Sequence, residues 1–167
     1  MSIIVEDGSN IPNANSYVSV IDARVILNFL GQDLDANDVT AEQQLLNSMT
    51  YIEAFRAKYK GQKTERNQPL QWPRIGVCID DFVLDTDVIP QELIDAQVFA
   101  AYEFSTGVVL QPTVSGQVVQ SEEVVGAVKV SYFNTRAMEG SFNLIRVLDS
   151  LNPLFETAGF VMRGMRG

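Results

Sequence analysis

The segment from Pro90 to Gly107 narrows the choice of fold more than any other. Leu93, Ile94, Ala96, Val98, Phe99, Ala100, Ala101, Tyr102 and Phe104 cover nearly all its faces at helical spacing. A helix that is apolar all round cannot face water along any side, so the rest of the chain must be built around it. Its ends are marked as well. Pro90 suits the first helical position, Gln91, Glu92 and Asp95 lie near the positive N-terminal end, and Gly107 stops the run.

Three further helices are expected to supply that enclosure. The first follows Ser19, which with Asp22 makes a start resembling a capping box, and it ends near Gly31; Ile21, Val25, Ile26 and Phe29 are its expected buried stripe. The second runs from about Ala41 to Arg56, entered by Thr40 and Gln43, with Leu45, Leu46, Met49, Ile52 and Phe55 turned inward. The last, about Ser141 to Asn152, buries Phe142, Ile145, Leu148 and Leu151 before Pro153 ends it. Between the third and fourth helices the period changes to two. Val118 to Val124 and Ala127 to Tyr132 read as a β-hairpin around Val125-Gly126, with Val128, Val130 and Tyr132 on one face. The expected fold is mainly α: a small bundle of about four helices with one β-hairpin. The 167 residues suffice for one core, so the chain is read as a single domain over 1–167 with a C-terminal tail over about 156–167.

Composition then removes whole classes of chemistry. Histidine is absent, which excludes Ser-His-Asp, Cys-His and histidine-metal arrangements. A net charge of −9 argues against a surface that coats nucleic acid all over, because phosphate binding rests on Lys and Arg. No run is long and apolar enough for a membrane span, and residues 1–7 lack the basic and apolar regions of a signal peptide, so the expectation is a soluble, unexported protein. The single cysteine, Cys78, fits a reducing, bacterial-type cytoplasm. Cys78 lies between Val77 and Ile79 and is expected to be an inert buried thiol.

Charge is unevenly spread. Arg56, Lys58, Lys60, Lys63, Arg66 and Arg74 face only Glu65 in the stretch from 56 to 74, whereas Ile75 to Val128 holds no Lys or Arg. The acidic run Asp80, Asp81, Asp85, Asp87 lacks the glycine and spacing of a calcium loop and is read as solvated acids. Glu122 and Glu123 are neighbours that point to opposite faces of a strand, so no acid–base pair is assigned to them. The scattered glycines form no phosphate-binding loop. No catalytic residue, metal or cofactor is expected, and the chain is read as a non-enzyme. The connection from Ala57 to Val88 is too long for an ordinary loop, so it is either functional or carries short structure of its own. Across its start, Phe55, Tyr59 and Trp72 interleave with the cations, as in proteins that bind single-stranded nucleic acid. The competing reading makes Trp72, beside Pro73, a loop anchor in the core and pairs Arg74 with a core-edge or inter-subunit carboxylate.

Several motifs, taken in order, resemble a known family. Ile4-Val5-Glu6-Asp7-Gly8, Ala14 to Ser19, Gln71-Trp72-Pro73-Arg74-x-Gly76, Ile89-Pro90, the segment Ser121 to Tyr132 and Leu148-Asp149-x-Leu151-x-Pro153-Leu154 look like tailed-phage and prophage proteins labelled DnaT-like single-stranded-DNA-binding proteins. That group in turn resembles head-tail connectors. The resemblance implies a virion neck adaptor, assembled in the host bacterial cytoplasm as a homo-oligomeric, dodecameric ring. Its partners would be the portal protein, a stopper (head-completion) or tail-terminator protein and copies of itself, with genomic DNA passing through the lumen unbound. The candidate contact residues are Lys58, Lys60, Lys63, Arg66, Trp72, Arg74, Val128, Val130, Tyr132, Phe160, Met162 and Arg163. The alternative is a single-stranded-DNA-binding replication accessory protein using the basic aromatic loop 56–74.

Overall fold

The computed structural model describes residues 2–108 and 144–156. Four α-helices are present among them: α1 (Val20–Asn28), α2 (Asp38–Glu53), α3 (Gln91–Ser105) and α4 (Ile145–Leu151), the last running into a 3₁₀ turn over Asn152–Leu154. Between α2 and α3 lie two small antiparallel ribbons, β1 (Gln62–Lys63) with β2 (Arg74–Ile75) and β3 (Cys78–Ile79) with β4 (Phe82–Val83). The mainly-α class with a small hairpin element therefore holds. The strand pair expected over 118–132, with Glu122 and Glu123, lies outside the described residues, as do Phe142 and the tail from 157 onward.

α3 is central, as its composition requires. Leu93, Ala96 and Ala100 face one apolar cluster, with Met49 and Ile52 of α2, Val147 and Leu151 of α4, and Tyr17, Tyr59 and Trp72. Val98 and Ala101 face a second, with Ala23 and Leu27 of α1 and Ala41 and Leu45 of α2. One helix serves both clusters, and its charged residues Glu92, Asp95 and Glu103 stay at half-buried positions. Gln97 is fully buried but satisfied. Its Oε1 accepts from the Tyr17 backbone N–H at 2.9 Å, and its Nε2 donates to Ser16 Oγ at 2.8 Å and to the Leu45 carbonyl at 3.2 Å. It thereby pins the N-terminal segment to α2 and α3.

The α1 start is as expected, with Ser19 Oγ accepting from the Asp22 N–H, and Gly31 takes up the positive φ of a helix-ending residue. Its buried stripe is not. Ile21 is 73% exposed, Val25 50% and Phe29 87%, while Ala23 and Leu27 are buried and Val20 and Ile26 half-buried. α1 carries two apolar stripes, and the one containing the small Ala23 is the one that fits against Val98 and Ala101 of α3. α2 starts earlier than expected because Asn37 caps it, its side-chain oxygen accepting from the Val39 N–H at 2.9 Å. On α4 the buried residues are Val147 and Leu151, whereas Ile145 and Leu148 are partly exposed.

The long connection is held by close backbone approaches. Gly61, at φ +69°, lies against the Ile75 carbonyl where β1 meets β2, and a Cβ there would run into that oxygen. Gly8, at φ +106°, meets the Asp87 carbonyl in the same way. Ahead of it, the buried Glu6 carboxylate accepts from the N–H groups of Gly8, Asn10 and Ile11, each at 2.9 Å, and so folds the N-terminal loop on itself.

Candidate functional site

Trp72 organises the connection between α2 and α3. It is fully buried, and its ring meets Tyr59 edge-on at 5.8 Å. The Trp72–Pro73 bond is cis. The Trp72 N–H donates to Tyr17 Oη at 3.1 Å, and that hydroxyl donates to Glu53 Oε1 at 2.8 Å. The Glu53 carboxylate also accepts from the Gln71 N–H, so three segments distant in sequence meet at one carboxyl group. Tyr59 and Trp72 are thus core residues. A base cannot stack on either, which corrects the reading that placed both in a stacking surface.

Burial raises the Glu53 carboxyl above its ordinary pKa, outweighing the hydrogen bonds from Tyr17 and Gln71 that lower it. The folded protein therefore holds this proton to higher pH than the unfolded chain does. The stability contributed by this group is fully present below the unfolded value of about 4.3 and is lost as pH rises through the folded value. In urea melts from about pH 4 to pH 7, the stability of the parent relative to Glu53→Gln should fall with rising pH, because the variant carries no titrating group there. A pH-independent difference would contradict this.

Arg74 was expected to meet a core-edge or inter-subunit carboxylate; among the described residues its partners are main-chain carbonyls instead. Its guanidinium donates to four main-chain carbonyls: Lys60 and Gly61 at 2.7 Å, and Tyr59 and Gln71 at 3.4 Å. It also lies 5.9 Å from the Tyr59 ring centre. Burial lowers its pKa from the ordinary arginine value. Lys60 and Lys63 are partly engaged in the same work, since Lys60 Nζ donates to the Cys78 and Pro153 carbonyls and Lys63 Nζ to the Gln68 carbonyl. These cations hold the connection together because a short ribbon leaves many carbonyls without ladder partners.

Arg56, Lys58 and Arg66 are exposed. Next to Arg56 and Lys58 along the chain lies an aromatic ledge, of which the sequence reading named only Phe55. Tyr51 and Phe55, one turn apart at the end of α2, meet edge-on at 5.1 Å, and Phe155 lies 5.5 Å from Phe55. All three rings are half-buried. Lys58 Nζ lies over two of them, 5.2 Å from the Phe55 centre and 5.7 Å from that of Phe155. Phe155 reaches this place because residues 58–60 pair with 154–156: the Lys60 N–H donates to the Leu154 carbonyl at 2.9 Å and the Glu156 N–H to the Lys58 carbonyl at 2.7 Å. A segment nearly a hundred residues downstream supplies the third ring, and no local spacing could announce it.

The acidic side differs in kind. Asp80 and Asp81 form the turn between β3 and β4, both at positive φ, and with Asp85 and Asp87 they are exposed. Cys78 is exposed too, not buried as expected, because β3 turns its side chain away from the core that takes Val77. Lys60, Gly61, Gly76, Cys78, Asp80, Asp81 and Glu156 line an open groove. Among the described residues no three acidic or thiol side chains converge as a metal ion would require, and no helix is long and apolar enough to cross a membrane.

A family described as "Putative DnaT-like ssDNA binding protein" matches residues 1–167. The chain belongs to this DnaT-like family. No curated protein and no solved structure matches it at a significant level. The family match corrects the neck-adaptor reading. The family is named for single-stranded DNA binding, and nothing supports a virion connector, a portal or stopper partner, a dodecameric ring or a lumen through which DNA passes unbound. The acidic net charge does not weigh against DNA binding, because a charge summed over the chain does not describe local exposed cations such as Arg56, Lys58 and Arg66. Of the candidate contact residues, Lys58, Lys60, Lys63 and Arg66 lie in the connection, with Lys58 over the ledge, Trp72 and Arg74 are buried, and Val128, Val130, Tyr132, Phe160, Met162 and Arg163 fall outside the described residues.

Proposed function

We propose that this DnaT-like protein binds single-stranded DNA on the face formed by Tyr51, Phe55 and Phe155 with Lys58 and the adjacent Arg56, as a binding module without a reaction of its own. The observation that carries the reading is the placement of Lys58 over the Phe55 and Phe155 rings, in a chain of a family named for this activity. Half-buried rings keep an open edge for a base while their bodies stay fixed, and stacking of that kind tolerates any base because each presents a π-face. The neighbouring cations would take the phosphates. Tyr59, Trp72 and Arg74 hold the surface from below without touching the strand.

Fluorescence titration of the full chain with a labelled oligothymidylate tests this. Affinity should fall steeply with salt, and Lys58→Gln should reduce the slope of log K against log salt by about 0.7, the value for one phosphate contact on a single strand. Phe55→Leu retains an apolar side chain of similar bulk but removes the ring, and should cost about 1–3 kcal/mol of binding if one base stacks there. Absence of binding at low salt would end the proposal. So would full affinity in both variants, each shown to be folded by circular dichroism.

A further inference from the structure

We propose that the β3–β4 hairpin docks a basic protein partner, with Phe82 and Val83 entering an apolar notch and Asp80, Asp81, Asp85 and Asp87 meeting lysines or arginines around it. Phe82 is 79% exposed and Val83 78%, side by side just after the Asp80–Asp81 turn. This is not the exposure of an unanchored loop. Cys78 pairs with Val83 and Ile79 with Phe82, and the Leu84 N–H donates to the Val77 carbonyl at 2.9 Å. Val77 is fully buried, and Ile79 and Leu84 pack on the main apolar cluster. A fixed base thus holds two large apolar side chains in water. Single exposed apolar residues are ordinary, but an apolar patch rimmed by charge is where proteins dock.

Charge selects the occupant. The four aspartates are exposed, none of them forms an ion pair among the described residues, and the sequence holds no Lys or Arg from Ile75 to Val128. Lys60, which shares the open groove with Asp80 and Asp81, is held by the Cys78 and Pro153 carbonyls. Phosphates, whether of DNA or of a lipid surface, are repelled from such a tip, so Phe82 is not a ring for stacking bases. Two tips also repel each other, which keeps a second copy from covering this face. A protein surface of opposite sign fits both features. Its cations are drawn to the carboxylates, and its notch then takes the two apolar side chains out of water. The partner is therefore distinct from DNA and engages a different part of the connection from the aromatic ledge.

The probe is a random peptide library displayed on phage and selected against the immobilised full chain. Among the peptides that bind, one class should combine Lys or Arg with a large apolar residue, and Phe82→Ser with Val83→Ser should weaken that class at least about tenfold, as loss of an apolar anchor does. Asp80→Asn with Asp81→Asn should weaken it as well, by a margin that shrinks at high salt. Asparagine accepts the positive φ of both turn positions, so this variant removes charge and keeps the hairpin. The replaced side chains are exposed, so both variants should melt like the parent by circular dichroism and bind oligothymidylate no more weakly. A selection without any peptide sensitive to the exchange at 82 and 83 would overturn the inference, and so would sensitive peptides that carry no cation. Weaker DNA binding by folded Phe82→Ser with Val83→Ser would overturn it in favour of a second stacking site.

Discussion

Replacing Trp72 with alanine should lower the unfolding free energy by about 3–5 kcal/mol, the range for removing a large aromatic from a closed core. Trp72 is fully buried in the main apolar cluster, edge-on to Tyr59. Its indole N–H has no hydrogen-bond partner among the described residues, so its side chain stabilises through packing and not through a polar bond. With a total stability in the usual range of about 5–15 kcal/mol, the variant should be partly unfolded in mild urea. Trp72 is the single tryptophan, so the melt must be followed by circular dichroism. Trp72→Phe separates anchor from stacking platform. It removes the unpartnered N–H and keeps a ring, so it should lose far less stability and leave DNA affinity unchanged. A loss of affinity in folded Trp72→Phe would return Trp72 to the DNA surface.

Arg74→Ala should cost about 3 kcal/mol or more, because hydrogen bonds to a charged group contribute about 1.5–3 kcal/mol each and two of the four here are short. The carbonyls of Tyr59, Lys60 and Gly61 would lose a shared donor where β1 meets β2. Arg74→Lys should recover less than half of that loss. One ammonium is a compact point charge and cannot span three successive carbonyls as the planar guanidinium does. Urea melts of the two variants decide the matter: parent-like stability in Arg74→Lys would mean that charge, not the fork, is what the site requires. Because Arg74 lies below the proposed DNA face, both variants should keep the parental salt slope wherever they remain folded.

Both effects concern residues of the Trp-Pro-Arg motif, and they show which parts of the molecule local pattern could reach. The central position of α3 was legible because an apolar surface on nearly every side admits one physical outcome, enclosure. The Ser19 start and the Gly31 stop of α1 were legible because capping is satisfied by neighbours a few residues away. Trp72 as an anchor was legible for a similar reason, since a large ring in a polar loop gains most by burial. The buried face of α1 was not. Two stripes were available, and the choice went to Ala23 and Leu27 through the shape of α3, a partner far away in sequence.

The candidate site divides along the same line. Its cations were visible in the sequence as a run from Arg56 to Arg74, since charge density is a local property. Which of them are free was not visible, because Arg74, Lys60 and Lys63 are drawn to main-chain carbonyls that only the folded connection exposes. The rings changed places for the same reason. Tyr59 and Trp72, adjacent to the cations in sequence, went into the core, while Phe155 came to the ledge through the pairing of 58–60 with 154–156. The sequence by itself determined that a helical chain would wrap α3 and carry a basic connection. Only the tertiary structure decided which aromatic rings that connection presents, because burial is allotted by long-range packing and not by spacing along the chain.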